Sequence, residues 1–348
     1  MNAVLVQEGG TILLGTEGAG VQRSTDGGQT WTASNDGFSE RFISHVLFDE
    51  SGRRIVIVAR GSAHYDGLFT CADLPGPWAH LDEGLEGRHI LSTTSVDGTL
   101  FAGTDDGLFA RGTGASQWAR VPTLKGADSH AAVKLLIGRS PGRLLAITAS
   151  GAIRSGDGGQ TWSASRLDAS QVTTLAQGSR DDGLIFAATS RVIIRSADGG
   201  ATWSPVSNGL RAVTTHALAF DPNDDRVLFA TTSGGLFRSG DQGASWTPVS
   251  GGLPRTALSG IAIHPDGRTL FVSDFATGGI YRSVDAGATW RRVAVDGLTS
   301  DHVWTLALDP ESPERLLAST SSGGLFVLAL ASQSGESASI RDRTTGGR

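Results

Sequence analysis

Short apolar runs alternate with tight polar clusters along the chain, and helical periodicity is absent nearly throughout. The clearest stretch runs Thr215-His216-Ala217-Leu218-Ala219-Phe220, then Asp221-Pro222-Asn223-Asp224, then Arg226-Val227-Leu228-Phe229-Ala230-Thr231 and Gly234-Gly235. Leu236-Phe237-Arg238-Ser239 follows, and beyond a polar turn comes Trp246-Thr247-Pro248-Val249. Apolar, β-branched and aromatic runs of this length, bounded by Gly, Asp, Asn and Pro, are the signature of strands and turns. The stretch predicts four strands, and its grammar recurs along the chain, so an all-β protein is expected.

The unit repeats. Ser24-Thr25-Asp26-Gly27-Gly28-Gln29-Thr30-Trp31 returns at Ser155 to Trp162, Ser196 to Trp203, Ser239 to Trp246 and Ser283 to Trp290. Worn copies end at Trp78 and Trp118, and the seven Trp recur at roughly 43-residue intervals, the period of a four-stranded propeller blade. Third strands end or centre near Val21, Phe69, Phe109, Ile153, Ile194, Phe237, Tyr281 and Phe326, which predicts a single β-propeller of eight four-stranded antiparallel blades. Seven is the alternative, should an end unit be incomplete and shared between the termini. The propeller is expected to cover 1–331. The tail 332–348 supplies the last outer strand, through Ala338-Ser339-Ile340-Arg341, or is disordered.

The repeated Asp turn looks like a site but reads better as a fold element. Asp in a turn accepts bonds from backbone N–H groups just ahead of it, Gly-Gly supplies positive φ, and Trp fills the gap between layers. One active site does not need five copies. Arg23, Arg154, Arg195, Arg238 and Arg282, each just before the Ser, fall under the same reading.

Composition narrows the function. Net charge is −6, so a general nucleic-acid binder is excluded, because phosphate neutralisation needs a basic surface. Positive charge is almost all Arg, with Lys only at 125 and 134. The lone Cys71 leaves no internal disulfide and no cysteine-rich zinc module. The N-terminus reads as a first strand and not a signal peptide, and no apolar run is long enough to span a bilayer. A soluble, cytoplasmic protein is expected, periplasmic or secreted if a leader was removed.

The Ser-x-Asp-x-Gly-x-Thr-Trp units resemble the BNR/Asp-box propellers, and the resemblance covers almost the whole chain. That family includes sialidases, two-domain xyloglucanases, sortilin-type receptors and photosystem II assembly factors. The chain looks most like the single-domain assembly-factor-like or sortilin-type branch. The resemblance specifies fold strongly and function weakly. It implies that ligands meet the face formed by loops leading into each first strand and loops joining strands two and three, with the Asp boxes on the other side.

Two patterns fall on those loops. Arg41, Arg88, Lys125, Arg166, Arg211 and Arg255 mark the links into successive inner strands, and guanidinium forks suit carboxylates, phosphates or acidic peptides. Glu40, Glu83, Glu86, Asp128, Asp168, Asp296 and Asp301 share the links, so a mixed solvated surface is the competing reading. Histidine is the second pattern: His45, His89, His130, His216 and His302 lie at or near inner-strand starts, and His64-Tyr65-Asp66 occupies the longest loop between strands two and three. His45, His89, His130 and His302 are the candidate metal ligands, although the His hold no common register, no local metal motif is present, and no cofactor is expected.

Enzyme readings fare poorly. The resemblance to sialidases would require an Arg-Ile-Pro-type segment, which is absent, and a Tyr nucleophile, while Tyr281 sits in a third strand. A xyloglucanase-like mechanism would set two carboxylates across a cleft between two propellers, and one ring lacks the cleft unless a dimer supplies it. Asp66, Asp105, Asp106 and Asp274 sit in suitable loops without distinctive context. The leading expectation is therefore a non-catalytic binding or assembly module. It would present Arg41, Arg88, Arg211, Arg255, His64, Tyr65 and Asp66 at the channel mouth to a protein or peptide segment or an anionic ligand. The alternative is a carbohydrate-active glycoside hydrolase or lyase of the Asp-box type, and the third a metal-dependent protein with an axial His site. The sequence is silent on oligomeric state.

Overall fold

The computed structural model describes residues 3–6, 11–15, 19–26, 30–37, 42–49, 54–60, 66–72, 77–122, 130–139, 141–168, 172–178, 183–210, 213–293, 302–308, 315–320 and 325–329. These residues form eight consecutive antiparallel sheets, numbered one to eight here, seven with four strands and the last with three. No described residue is helical. In the sixth sheet the strands are Thr215–Asp221, Asp224–Thr232, Gly235–Ser239 and Thr247–Pro248, as the sequence pattern predicts. The candidate strand at Ala338 to Arg341 lies outside the described residues.

First strands lie beside first strands of the next sheet, as at Ile90–Val96 with Val133–Arg139 and Leu258–Ile263 with Val303–Leu308, so they form the inner lining of the propeller. Second strands are the best buried, because both faces meet a neighbouring sheet. Period-two alternation sends successive residues to opposite layers. Leu228 and Ala230 pack with Phe186 and Ala188 of sheet five, while Phe229 between them packs with Leu258, Leu270 and Val272 of sheet seven.

The Asp boxes close the strand-three-to-four hairpins. In sheet six the Ser239 hydroxyl donates to Asp241 Oδ1 at 2.7 Å, the Ser245 N–H donates to the same oxygen at 2.9 Å, and the Ser245 hydroxyl donates to Oδ2 at 2.6 Å. The same three bonds recur at Asp26, Asp157, Asp198 and Asp285. Gly243, at φ +81°, lies where a Cβ would stand 2.8 Å from the Phe186 ring, so the box seats itself on the preceding sheet.

Two seams join neighbouring sheets. At the outer rim the Trp78, Trp118, Trp246 and Trp290 N–H groups donate to the carbonyls of Asp36, Glu83, Asn208 and Gly251 in the preceding unit. Contact there is so close that a Cβ on Gly209 would fall 2.1 Å from the Trp246 carbonyl oxygen. At the inner wall the Ser259 hydroxyl donates to the Val303 carbonyl at 2.6 Å, and His216 Nδ1 bonds the Leu258 carbonyl at 2.8 Å.

Candidate functional site

The hydrogen bonds define two faces. Box residues Gly158, Gln242 and Ala286 donate their N–H groups to Gly142, Arg226 and Arg268, which stand where strand one turns into strand two. The boxes therefore share a face with the one-to-two turns. On the opposite face the turns between strands two and three donate to the residue leading into the first strand: Asp105 to His89, Ala149 to Ala132, Ser233 to Thr214 and Phe275 to Ala257.

This second face has a constant frame and variable tips. Thr104, Thr148, Thr189 and Thr232 end their second strands, and each hydroxyl donates across the turn to the carbonyl of Gly107, Gly151, Val192 or Gly235. Each hydroxyl also accepts the N–H of the residue two further on. That residue is Asp106, Ser150, Arg191 and Gly234 in turn. Chemistry changes at one position while the backbone is held, which is how loops on a rigid scaffold carry function.

At Asp106 a cluster assembles from three segments. His130 Nδ1, in the link into sheet four, donates to Oδ1 at 2.5 Å. Arg120, in the fourth strand Ala119–Arg120, donates to Oδ2 at 2.7 Å, and Arg88 Nε approaches the same oxygen at 3.3 Å. Both guanidinium carbons lie 4.7 Å from the centroid of buried Phe109, within cation–π range. The His130 bond, followed by the Arg120 bond and charge, outweighs desolvation and holds the Asp106 carboxyl at about 2. The carboxylate thus stays ionised at neutral pH and acts as an anchor for two arginines and a histidine.

Other candidates are placed apart. Arg255 is exposed in the link into sheet seven and forms no ion pair among the described residues, as is true of Arg191 at its turn tip. Counted back from the first paired residue of their inner strands, Ile90 and Leu258, Arg88 and Arg255 stand two and three places away, so they hold no common register. Arg166 donates its N–H to the Ala201 carbonyl beside the next Asp box, at the outer rim. His302 packs edge-on against Phe275 at 5.6 Å. His89 is bound through its N–H to Asp105 Oδ1. Among the described residues no three His, Cys, Asp or Glu side chains are grouped to hold a metal ion. Asp274 is wholly buried and accepts from Thr256, Ala276 and Thr277, so it braces its turn. Arg41, Arg211, His64, Tyr65 and the side chains of His45 and Asp66 lie outside the described residues.

Sequence reasoning missed Arg120 and Arg191. Arg191 had a signal, a charged residue two places after a strand-ending Thr; Arg120 had none, since it sits in a fourth strand.

The chain folds as a β-propeller and carries a BNR/Asp-box repeat. The BNR/Asp-box repeat model matches residues 22–33. Solved structures of the same fold include a GH74 enzyme from Niastella koreensis, 14% identical over 97% of this chain and 53% of that one, with a TM-score of 0.61. The GH74 xyloglucanase from Xanthomonas campestris is 18% identical over 98% of this chain and 54% of its own, at 0.62. YCF48 bound to D1 peptide is 18% identical over 81% of this chain and 90% of its own, at 0.57. The chain spans about half the length of the two GH74 enzymes. No curated protein sequence matches it. At such identities the likeness carries the fold.

Proposed function

We propose that this protein is a non-catalytic binding module whose propeller, spanning 1–331, offers the face opposite the Asp boxes to an acidic protein segment. One observation carries the reading: Asp106 and Asp274, the carboxylates at the two-to-three turns, are consumed by that face's own frame, while Arg191 and Arg255 stand exposed. Asp106 is held at about 2 by His130 and Arg120, and Asp274 is saturated by turn donors. A general acid needs the opposite environment, one that raises its pKa. Spare guanidiniums beside turns whose own carboxylates are spent suit carboxylate recognition. YCF48, which shares the fold, has been solved with a bound peptide.

The test is binding of a Glu-rich peptide to the purified chain against its Gln analogue. The Glu peptide should bind selectively, and an Arg191→Ala/Arg255→Ala double variant should lose about tenfold in affinity with an unchanged melting temperature. Equal binding of the two peptides would refute the reading.

The match to a GH74 xyloglucanase over 98% of the chain favours a second reading, carbohydrate hydrolysis. Turnover in a polysaccharide panel, abolished by Asp66→Ala or Asp106→Ala, would establish it instead.

A further inference from the structure

Five sheets end in a short fourth strand of one sequence form. Trp is followed by two strand residues and then an aliphatic one, at Trp78 to Leu81, Trp118 to Val121, Trp203 to Val206, Trp246 to Val249 and Trp290 to Val293. The two middle residues pair with the third strand, Thr247 with Arg238 and Pro248 with Phe237 in sheet six. The aliphatic residue donates its N–H to the carbonyl where the third strand starts, as Leu81 does to Leu68, Val206 to Ile193 and Val249 to Leu236. The indole enters the boundary with the preceding sheet. Trp78, Trp118, Trp162, Trp203, Trp246 and Trp290 join the apolar clusters at the six boundaries from sheet one to sheet seven. A buried indole N–H needs an acceptor. For Trp78, Trp118 and Trp246 it is the carbonyl closing the preceding fourth strand: Ser34 at 2.8 Å, Leu81 at 2.5 Å and Val206 at 2.6 Å.

Among the described residues sheet eight has the surroundings of such a strand and not the strand itself. Its third strand, Leu325–Ala329, pairs with Arg315–Thr320 on one edge. At the boundary of sheets seven and eight, Phe271, Ile280 and Leu316 hold the positions that Phe186, Ile193 and Leu228 hold around Trp246. That cluster contains no Trp among the described residues. Val293 closes the fourth strand of sheet seven as Val206 closes that of sheet five, and its carbonyl takes no donor among the described residues. Residues 330–348 carry no Trp, so the missing indole does not come from them. The five segments of this form each fill their own sheet, so a second copy has none to lend.

We propose that the outer edge of sheet eight accepts an extended Trp-x-x-aliphatic segment of a partner protein as its fourth strand. Backbone bonds to the open edge supply affinity, and the place for the indole supplies specificity. The register of sheet six sets the fit. The two middle residues lie opposite Val327 and Phe326, and the aliphatic N–H meets the Leu325 carbonyl. The indole enters the boundary at Phe271 and Leu316, with its N–H on the Val293 carbonyl. The site is at the outer rim and is independent of the acidic-segment reading above.

The experiment measures fluorescence anisotropy of a labelled octapeptide on the full chain, its sequence that of residues 243–250, Gly-Ala-Ser-Trp-Thr-Pro-Val-Ser. The peptide should bind. Replacing its Trp by Ala should weaken binding about thirtyfold, and N-methylation of its Val, which removes the donated N–H, about tenfold. A photoreactive leucine in place of the Val should cross-link to residues 325–329, read by mass spectrometry. The protein is unaltered in every arm, so a failure to fold explains no outcome. An excess of the Glu-rich peptide should displace nothing, and displacement would move the segment to the tip face and overturn the slot. Absence of binding, indifference to the loss of the Trp, or cross-links confined to another sheet would overturn it as well, and none of these touches the acidic-segment reading.

Discussion

The two faces of this propeller use the same turn chemistry for different ends. On the Asp-box face, one carboxylate takes the same three hydrogen bonds in five sheets, from Ser24 and Thr30 at Asp26 to Ser283 and Thr289 at Asp285. On the other face, a Thr hydroxyl repeats the frame while the tip changes from Asp106 to Ser150, Arg191 and Gly234. A carboxylate that recurs at every turn is part of the scaffold. One that occurs at a single tip, gripped by residues from three segments, is where the molecule departs from its own rule. Variation within a repeat locates function better than the motif that defines the repeat.

Substitutions that break the constant side should act on stability alone. The largest effect is expected at the rim, where Gly209→Ala drives a Cβ into the Trp246 carbonyl at a positive φ of +95°. A loss of about 3 kcal/mol or more should follow, read by denaturant unfolding. Asp241→Ala removes three box bonds at a solvent-facing turn and should cost about 1–2 kcal/mol with peptide binding untouched.

Acid should unpick the same side. Asp157, Asp241 and Asp285 are each held at about 2, first by the hydroxyl of Thr161, Ser245 or Thr289, then by the backbone N–H of that residue. At Asp198, also at about 2, desolvation pulls upward and is outweighed by the Thr202 and Ser196 bonds. Depressed folded-state values stabilise fully above the unfolded value of about 3.9, and the gain is lost as pH falls through about 2. Melting temperature should therefore fall steadily between those limits, and a flat profile would remove the boxes from the stability account.

The variable side should respond in the reverse manner. Asp106→Asn should change stability by less than about 1 kcal/mol, because the ion pairs are partly exposed. It frees Arg88, Arg120 and His130 from their common anion, so affinity for an acidic peptide should rise about threefold. A fall in affinity would mean that Asp106 positions those cations for the ligand.

Sequence made the frame legible because each unit writes the same rules again. Four apolar runs, a Gly-Gly turn and a Trp locate the strands of sheet six. The Asp106 cluster was illegible because Arg120 comes from a fourth strand, whose short run ends beside the tip only once the hairpin is folded.

The seams between sheets rest on carbonyl acceptors: those of Asp36, Glu83, Asn208 and Gly251 at the rim, and those of Leu258 and Val303 inside. A carbonyl is the same whatever side chain stands beside it. At the rim, where backbone N–H groups donate to these carbonyls, neighbouring units join without matched side-chain hydrogen-bond partners, and a duplicated copy inserted in the row would find the same acceptors as its parent. Such a chain can lengthen by gene duplication and let each new copy drift at its exposed tip, because the joint that holds the copy imposes few demands on what that tip becomes.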